Sequence, residues 1–145
     1  MSNATATDCI DDIFNRVKLV TEFSSDKVVR VYSETDLLDK SKLIPPPFTG
    51  VMYEGIRANA SDPGRLGRAT DCYVAIVLGC LTKAVGGYDS RPEAIGLLDS
   101  IRNQILGDRS PSQHRWKFIS ELYVGDISNI MIYIQRWSTP LILSR

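Results

Sequence analysis

The chain has a single histidine and three cysteines, none of them in a Cys-x-x-Cys pair. That inventory is too thin for a tetrahedral zinc site, and an odd number of scattered cysteines gives no disulfide framework. Cys9, Cys72 and Cys80 all fall within apolar patterns and read as small buried hydrophobes. No run approaches the roughly 18 to 20 apolar residues that a membrane-spanning helix needs. The start, Met-Ser-Asn-Ala-Thr-Ala-Thr-Asp, has neither the basic stretch nor the apolar centre of a signal peptide, so the expected location is the cytoplasm where the chain is made. Charge of one sign is missing too. Seventeen basic residues balance 17 acidic ones, leaving no global field to draw in nucleic acid or an anionic membrane.

Catalytic signatures are equally sparse. There is no Gly-x-Ser-x-Gly elbow, and no cysteine has a visible partner base. The segment Asp62-Pro63-Gly64-Arg65-Leu66-Gly67-Arg68 lacks the Gly-Lys-Ser/Thr ending of a phosphate-binding loop and precedes no helix. His114, beside Arg115 in a polar stretch, reads as an exposed loop residue, since proton transfer would need an orienting acid and a dry pocket. Asp11 and Asp12 resemble paired carboxylates, but acidic residues early in a helix are favoured by its dipole. The expectation is a protein with no catalytic residue, cofactor or metal.

What is present is a set of well-punctuated elements. With 145 residues, 43% hydrophobic and 23% charged, the chain suits one globular domain over residues 1–145, with a flexible tail over residues 1–6. Thr7 or Asp8 is placed to cap a helix whose Ile10, Ile13, Phe14, Val17 and Val20 recur at helical spacing. A valine-rich strand follows over Lys27 to Tyr32, then a short helical turn around Asp36 to Asp39. Pro45-Pro46-Pro47 forms a stiff lead into a strand over Phe48 to Ile56. Arg57 to Ala69, rich in turn formers and carrying three arginines, predicts a long exposed hairpin arm of the kind used for binding.

Thr70 to Leu81 is apolar on both faces of an extended chain, Cys72, Val74, Ile76, Leu78 and Cys80 on one and Tyr73, Ala75, Val77, Gly79 and Leu81 on the other. Such a strand needs cover on both sides, and a second subunit is the expected source. Ser90-Arg91-Pro92-Glu93 has the form of a capping box opening a helix with Ile95, Leu98, Ile101 and Ile105 inward and Gly107 as its stop. Strands over Trp116 to Val124 and Asn129 to Trp137, joined at Gly125-Asp126, close the pattern. Ile130, Ile132 and Ile134 alternate there with Met131, Tyr133, Gln135 and Trp137, as in a sheet with one deeply buried face. The fold class is α+β: a mostly antiparallel or mixed sheet of about four to five strands packed by an N-terminal helix and one central helix.

In order and spacing these elements resemble the tail terminator, or tail completion, proteins of tailed bacteriophages, particularly the family of Mu-like and other contractile-tailed phages. The likeness covers most of the chain. Its carriers are the helix with Ile10, Ile13 and Val17, the strand Pro47 to Gly55 with Val51 and Tyr53, and the strand Tyr73 to Leu81. Gly86-Gly87-Tyr88, the helix Ala94 to Gly107 with Leu98, Ile101 and Leu106, and the closing Tyr133-Ile134-Gln135-Arg136-Trp137 complete it. The resemblance implies a subunit of a six-membered ring on the head-proximal end of the tail tube, where it stops tube growth and joins the tail to the neck. Implied partners are further copies of the chain, the tube protein, a sheath protein if the tail contracts, the neck or connector protein, and genomic DNA passing without sequence-specific binding. No membrane is involved. The place implied is the tail–neck junction of the virion, reached after assembly in the host cytoplasm.

A cyclic head-to-tail ring uses two different patches per subunit. Contacts to copies or partners are expected from Arg57, Arg65, Leu66 and Arg68 on the arm and from Tyr133, Arg136 and Trp137 on the last strand. Rival readings are another head–tail connector or head-completion part, a small enzyme with a carboxylate or arginine site, and a ligand-binding α+β domain.

Overall fold

The computed structural model describes residues 4–24, 26–58, 69–83 and 89–143. Its first helix, α1 (Ala6–Lys18), starts on Thr5 rather than on Thr7 or Asp8. The Thr5 hydroxyl accepts the Asp8 N–H at 3.2 Å while the Asp8 carboxylate accepts the Thr5 N–H at 2.9 Å, a reciprocal capping box that satisfies two otherwise unpaired donors. Ala4 already packs on the core, so the tail expected over residues 1–6 is shorter. Cys9, Ile13 and Val17 form the buried stripe of α1, with Ile10 and Phe14 at its margins. Asp11 and Asp12 lie past the first turn, where the dipole no longer accounts for them. Asp11 instead pairs with Arg30, and Asp12 accepts from Arg16 and from Trp116 Nε1, both at 2.8 Å.

A 3-10 turn (Thr21–Phe23) leads to β1 (Val28–Val31), and Ser33 then caps α2 (Glu34–Ser41), a two-turn helix where a single turn was expected. β2 (Phe48–Ala58) and β3 (Ala69–Leu81) form an antiparallel hairpin, so Arg57 and Ala69 belong to strands; the arm proper, residues 59–68, lies outside the described residues. α3 (Arg91–Ile105), β4 (Lys117–Ile127) and β5 (Ile130–Ile142) complete the chain. The sheet order is β1-β2-β3-β5-β4, antiparallel except for the β1–β2 pair. The fold is thus the expected α+β class with a five-stranded mixed sheet, an N-terminal helix and a central helix.

β3 is central, and its own chain covers both faces. Toward α1 and α3, Cys72, Val74, Ile76 and Leu78 join Ile13, Phe23, Leu98, Ile101 and Trp137 in the main core. On the other face Val77 packs with Phe48, Ile130 and Ile132 beneath Leu37 and Ile44, so α2 and the segment after it supply the cover expected from a second subunit. Gly79 is required here: a Cβ at that position would meet the Phe48 ring at 2.5 Å.

Three further expectations are corrected. Ser90 forms no capping box; the Asp89 carboxylate accepts the Arg91 N–H at 3.0 Å, and the buried Ser90 hydroxyl has no hydrogen-bond partner among the described residues. In α3 the buried set is Ala94, Leu97, Leu98, Ile101 and Ile105, whereas Ile95 is 53% exposed, because it stands one residue off the 94-97-98-101-105 stripe. The β4–β5 turn is Ser128-Asn129, both at positive φ (46° and 68°), as a two-residue hairpin demands; Gly125 (φ 136°) sits instead at a bulge in β4. On β5, Gln135, Trp137 and Thr139 are the fully buried side chains, all on the helix side, while on the opposite face Ile130 and Ile132 are buried and Ile134 is half-buried.

Candidate assembly surface

β4 is held firmly from behind. Its start is fixed by Arg16, which donates to Asp12 at 2.8 Å, to Asp108 at 2.6 Å and to the Arg109 carbonyl at 2.9 Å, tying α1 to the linker that enters the strand. Its middle is fixed by a polar chain: Trp137 Nε1 donates to Gln135 Oε1 at 2.7 Å, and Gln135 Nε2 donates to Glu121 at 2.8 Å and to the Leu98 carbonyl at 3.3 Å. Arg102 of α3 closes that chain on Glu121. Every polar group of Gln135 and Trp137 in this buried place is partnered, as buried polar groups must be.

The outer edge of β4 is another matter. Among the described residues no strand pairs with it, and Phe118, Ile119, Leu122, Tyr123 and Val124 are between 39% and 54% exposed. An 11-residue edge with that much apolar surface is a template for another chain. Bulges between Phe118 and Ser120 and between Tyr123 and Gly125 bend it, which restricts the geometry any pairing strand must match.

Two hollows flank this edge. On the helix side, Thr82, Lys83, Asp89, Arg91, Tyr123 and Tyr133 line one of about 610 Å³. There Tyr123 and Tyr133 rings lie 5.4 Å apart, and the Tyr123 hydroxyl donates to Asp126 at 2.7 Å, which together with burial raises its pKa. Arg91 is bound to Asp89, whose carboxyl that hydrogen bond holds below its ordinary range. On the opposite face a groove of about 530 Å³ runs between α2 and the end of the β4–β5 hairpin. Leu37, Met52, Val77, Ile132 and Ile134 give it an apolar floor, and Glu34, Glu54 and Asp126 stand on its rim.

The expected contact residues do not converge. Arg57 is exposed near the end of β2, its guanidinium 5.1 Å over the Tyr73 ring. Tyr133 and Arg136 point to opposite faces of β5, Tyr133 into the first hollow and Arg136 into the groove, where its Nε donates to Glu54 at 3.0 Å. Trp137 leaves the contact set, because it is fully buried against Phe118, with ring centroids 5.4 Å apart. Arg65, Leu66 and Arg68 lie outside the described residues. The residues missed are the exposed apolar ones of β4. Phe-Ile-Ser-Glu-Leu-Tyr-Val has no strict alternation, and only the strand order reveals that it forms an edge.

His114 is exposed, as expected. All three cysteines are buried; burial raises the Cys80 thiol to about 12, and a hydrogen bond to Cys72 together with burial holds Cys9 neutral. Among the described residues no cluster of His, Cys, Asp and Glu could hold a metal ion, and no helix is long and apolar enough to cross a membrane. No family model matches the chain, and no curated protein does.

Proposed function

We propose that the protein is a structural subunit of a tailed-phage virion that caps the head-proximal end of the tail tube as a ring of six copies and joins it to the neck. The observation that carries this reading is the β4 edge: a long strand, tied to α3 through Arg102 and Glu121 and to α1 through the linker that Arg16 holds, with five apolar side chains left at the surface. A monomer of this size gains nothing from such an edge and is put at risk of aggregation by it, whereas a closed ring covers it in every copy. In such a ring the β4 edge of one copy meets a different patch of the next, a heterologous contact, the kind that closes cyclically. The α+β architecture is of the class that the resemblance implies.

The role requires no reacting group. It requires a face that copies one tube layer and another that refuses the next. The test is electron microscopy of particles made without the protein. Overlong tails support a terminator. Tails of normal length, unattached to heads, would overturn it in favour of another part of the neck.

A further inference from the structure

The groove between α2 and the β4–β5 hairpin has the chemistry of a receptor for a short basic segment with one apolar residue. Its floor is apolar, with Leu37, Met52 and Ile134 half-buried over the buried Val77 and Ile132. Its rim carries three carboxylates, Glu34, Glu54 and Asp126, against one guanidinium, that of Arg136, which Glu54 already engages at 3.0 Å. At about 530 Å³ it lies in the range of sites that enclose a few side chains. The chain itself contains a segment of complementary kind, Arg65-Leu66-Gly67-Arg68, in the arm between β2 and β3. Its acidic residue, Asp62, stands apart from the arginines across Pro63-Gly64.

We infer that this groove receives Arg65-Leu66-Gly67-Arg68 from a neighbouring copy, Leu66 entering the apolar floor and the two arginines meeting the acidic rim. The inference rests on the ring reading above for the supply of a neighbour. The copy's own arm is excluded by reach. Leu66 is three residues from Ala69, at most about 11 Å of extended chain. Met52, the floor residue nearest the arm, is paired with Ala75, six residues along β3 from Ala69, about 20 Å at strand spacing. The groove adjoins the β4 edge through Val124, Gly125 and Ile127, so an arm seated there continues the surface that the edge leaves uncovered.

The test is a photo-crosslinking amino acid at position 66 in the full-length chain, mixed with isotopically labelled chain, with products mapped by mass spectrometry beside the native mass. The expected result is a crosslink from one copy to segment 33–38, to Met52, Glu54 or Val77, or to segment 124–136 of another. Arg65→Glu with Arg68→Glu should lower its yield at least roughly tenfold, as like charges facing each other do, and Glu34→Lys with Asp126→Lys in the same chain should restore it. Crosslinks confined to one chain, crosslinks to other surfaces, or charge reversals without effect overturn the inference. The native mass judges the ring separately. A ring without the crosslink removes the docking and keeps the ring; the crosslink in a particle of another size keeps the docking and removes the ring.

Discussion

The two edges of the sheet are built differently. β1 is four residues long, and its neighbour α2 bends over it so that Lys40 Nζ donates to the Arg30 carbonyl while Asp36 accepts the Tyr32 N–H at 2.9 Å. A short strand guarded by a lysine is how soluble proteins close an edge. β4 is 11 residues long, and its polar anchors, Glu121 and the linker held by Arg16, all pull from the helix side, leaving the outer edge to solvent. One edge is finished by the chain itself and the other is left for a second chain to finish. The same difference explains why β3 is not the assembly strand: its apolar faces are covered from within, and the uncovered apolar surface has moved two strands outward to β4.

The contrast can be broken at β4 first. Ile119→Lys with Leu122→Lys puts charge on the open edge without touching the groove or the core. Assembly should be lost outright while the thermal midpoint stays close to that of the parent, read by native mass and calorimetry. A variant that still assembled would move the interface elsewhere. The core supplies the control. Ile101 is fully buried, and Ile101→Ala should cost about 2 to 5 kcal/mol in denaturant unfolding, assembly falling only as far as folding does. If the folded fraction assembled poorly, α3 itself would be part of the interface.

At the closed edge the effects are smaller. Lys40→Met leaves the Arg30 carbonyl without its cap and should cost about 1 kcal/mol, with increased self-association at high concentration. No change in either would show that the length of β1, and not its guard, keeps that edge quiet. The smallest effect is on pH dependence. The Tyr32 N–H, then Lys40, holds the Asp36 carboxyl below its ordinary range. A carboxyl depressed in the folded state contributes stability above its unfolded value, near pH 3.9, and that contribution is lost as pH falls through the folded one. Asp36→Asn should therefore lower stability slightly at neutral pH and flatten the acid limb below about pH 4, the two curves converging in acid. An unaltered limb would remove Asp36 from the guard.

The elements were legible wherever a periodic pattern met its own punctuation. Ile13 and Val17 marked the face of α1, Leu98 and Ile101 that of α3, and the two-faced strand through Val74 and Ile76 was visible as buried. The sequence did not disclose who does the covering. Leu37 and Ile44 sit in a polar stretch whose helix looked like a single turn, so cover for Val77 was sought outside the chain. The cap of α1 stands two or three residues before the expected Thr7 or Asp8, and Ser90 stands at the expected N-cap of α3 without making its capping bond, because several neighbouring hydroxyls and carboxylates compete for each helix start. Trp137 reads as a contact residue in the sequence because only the tertiary fold brings Gln135, Phe118 and α3 around it. The candidate surface was the least legible, since an edge is a property of strand order and not of any one strand.

The ring is tested most directly by the native mass of the purified chain combined with isolated tail-tube ends. The account predicts one closed assembly of about six copies per tube end, as a cyclic heterologous contact requires, with β4 amides protected from exchange only in that state. A single copy per tube end, or β4 amides that exchange equally in the free and bound protein, would contradict it.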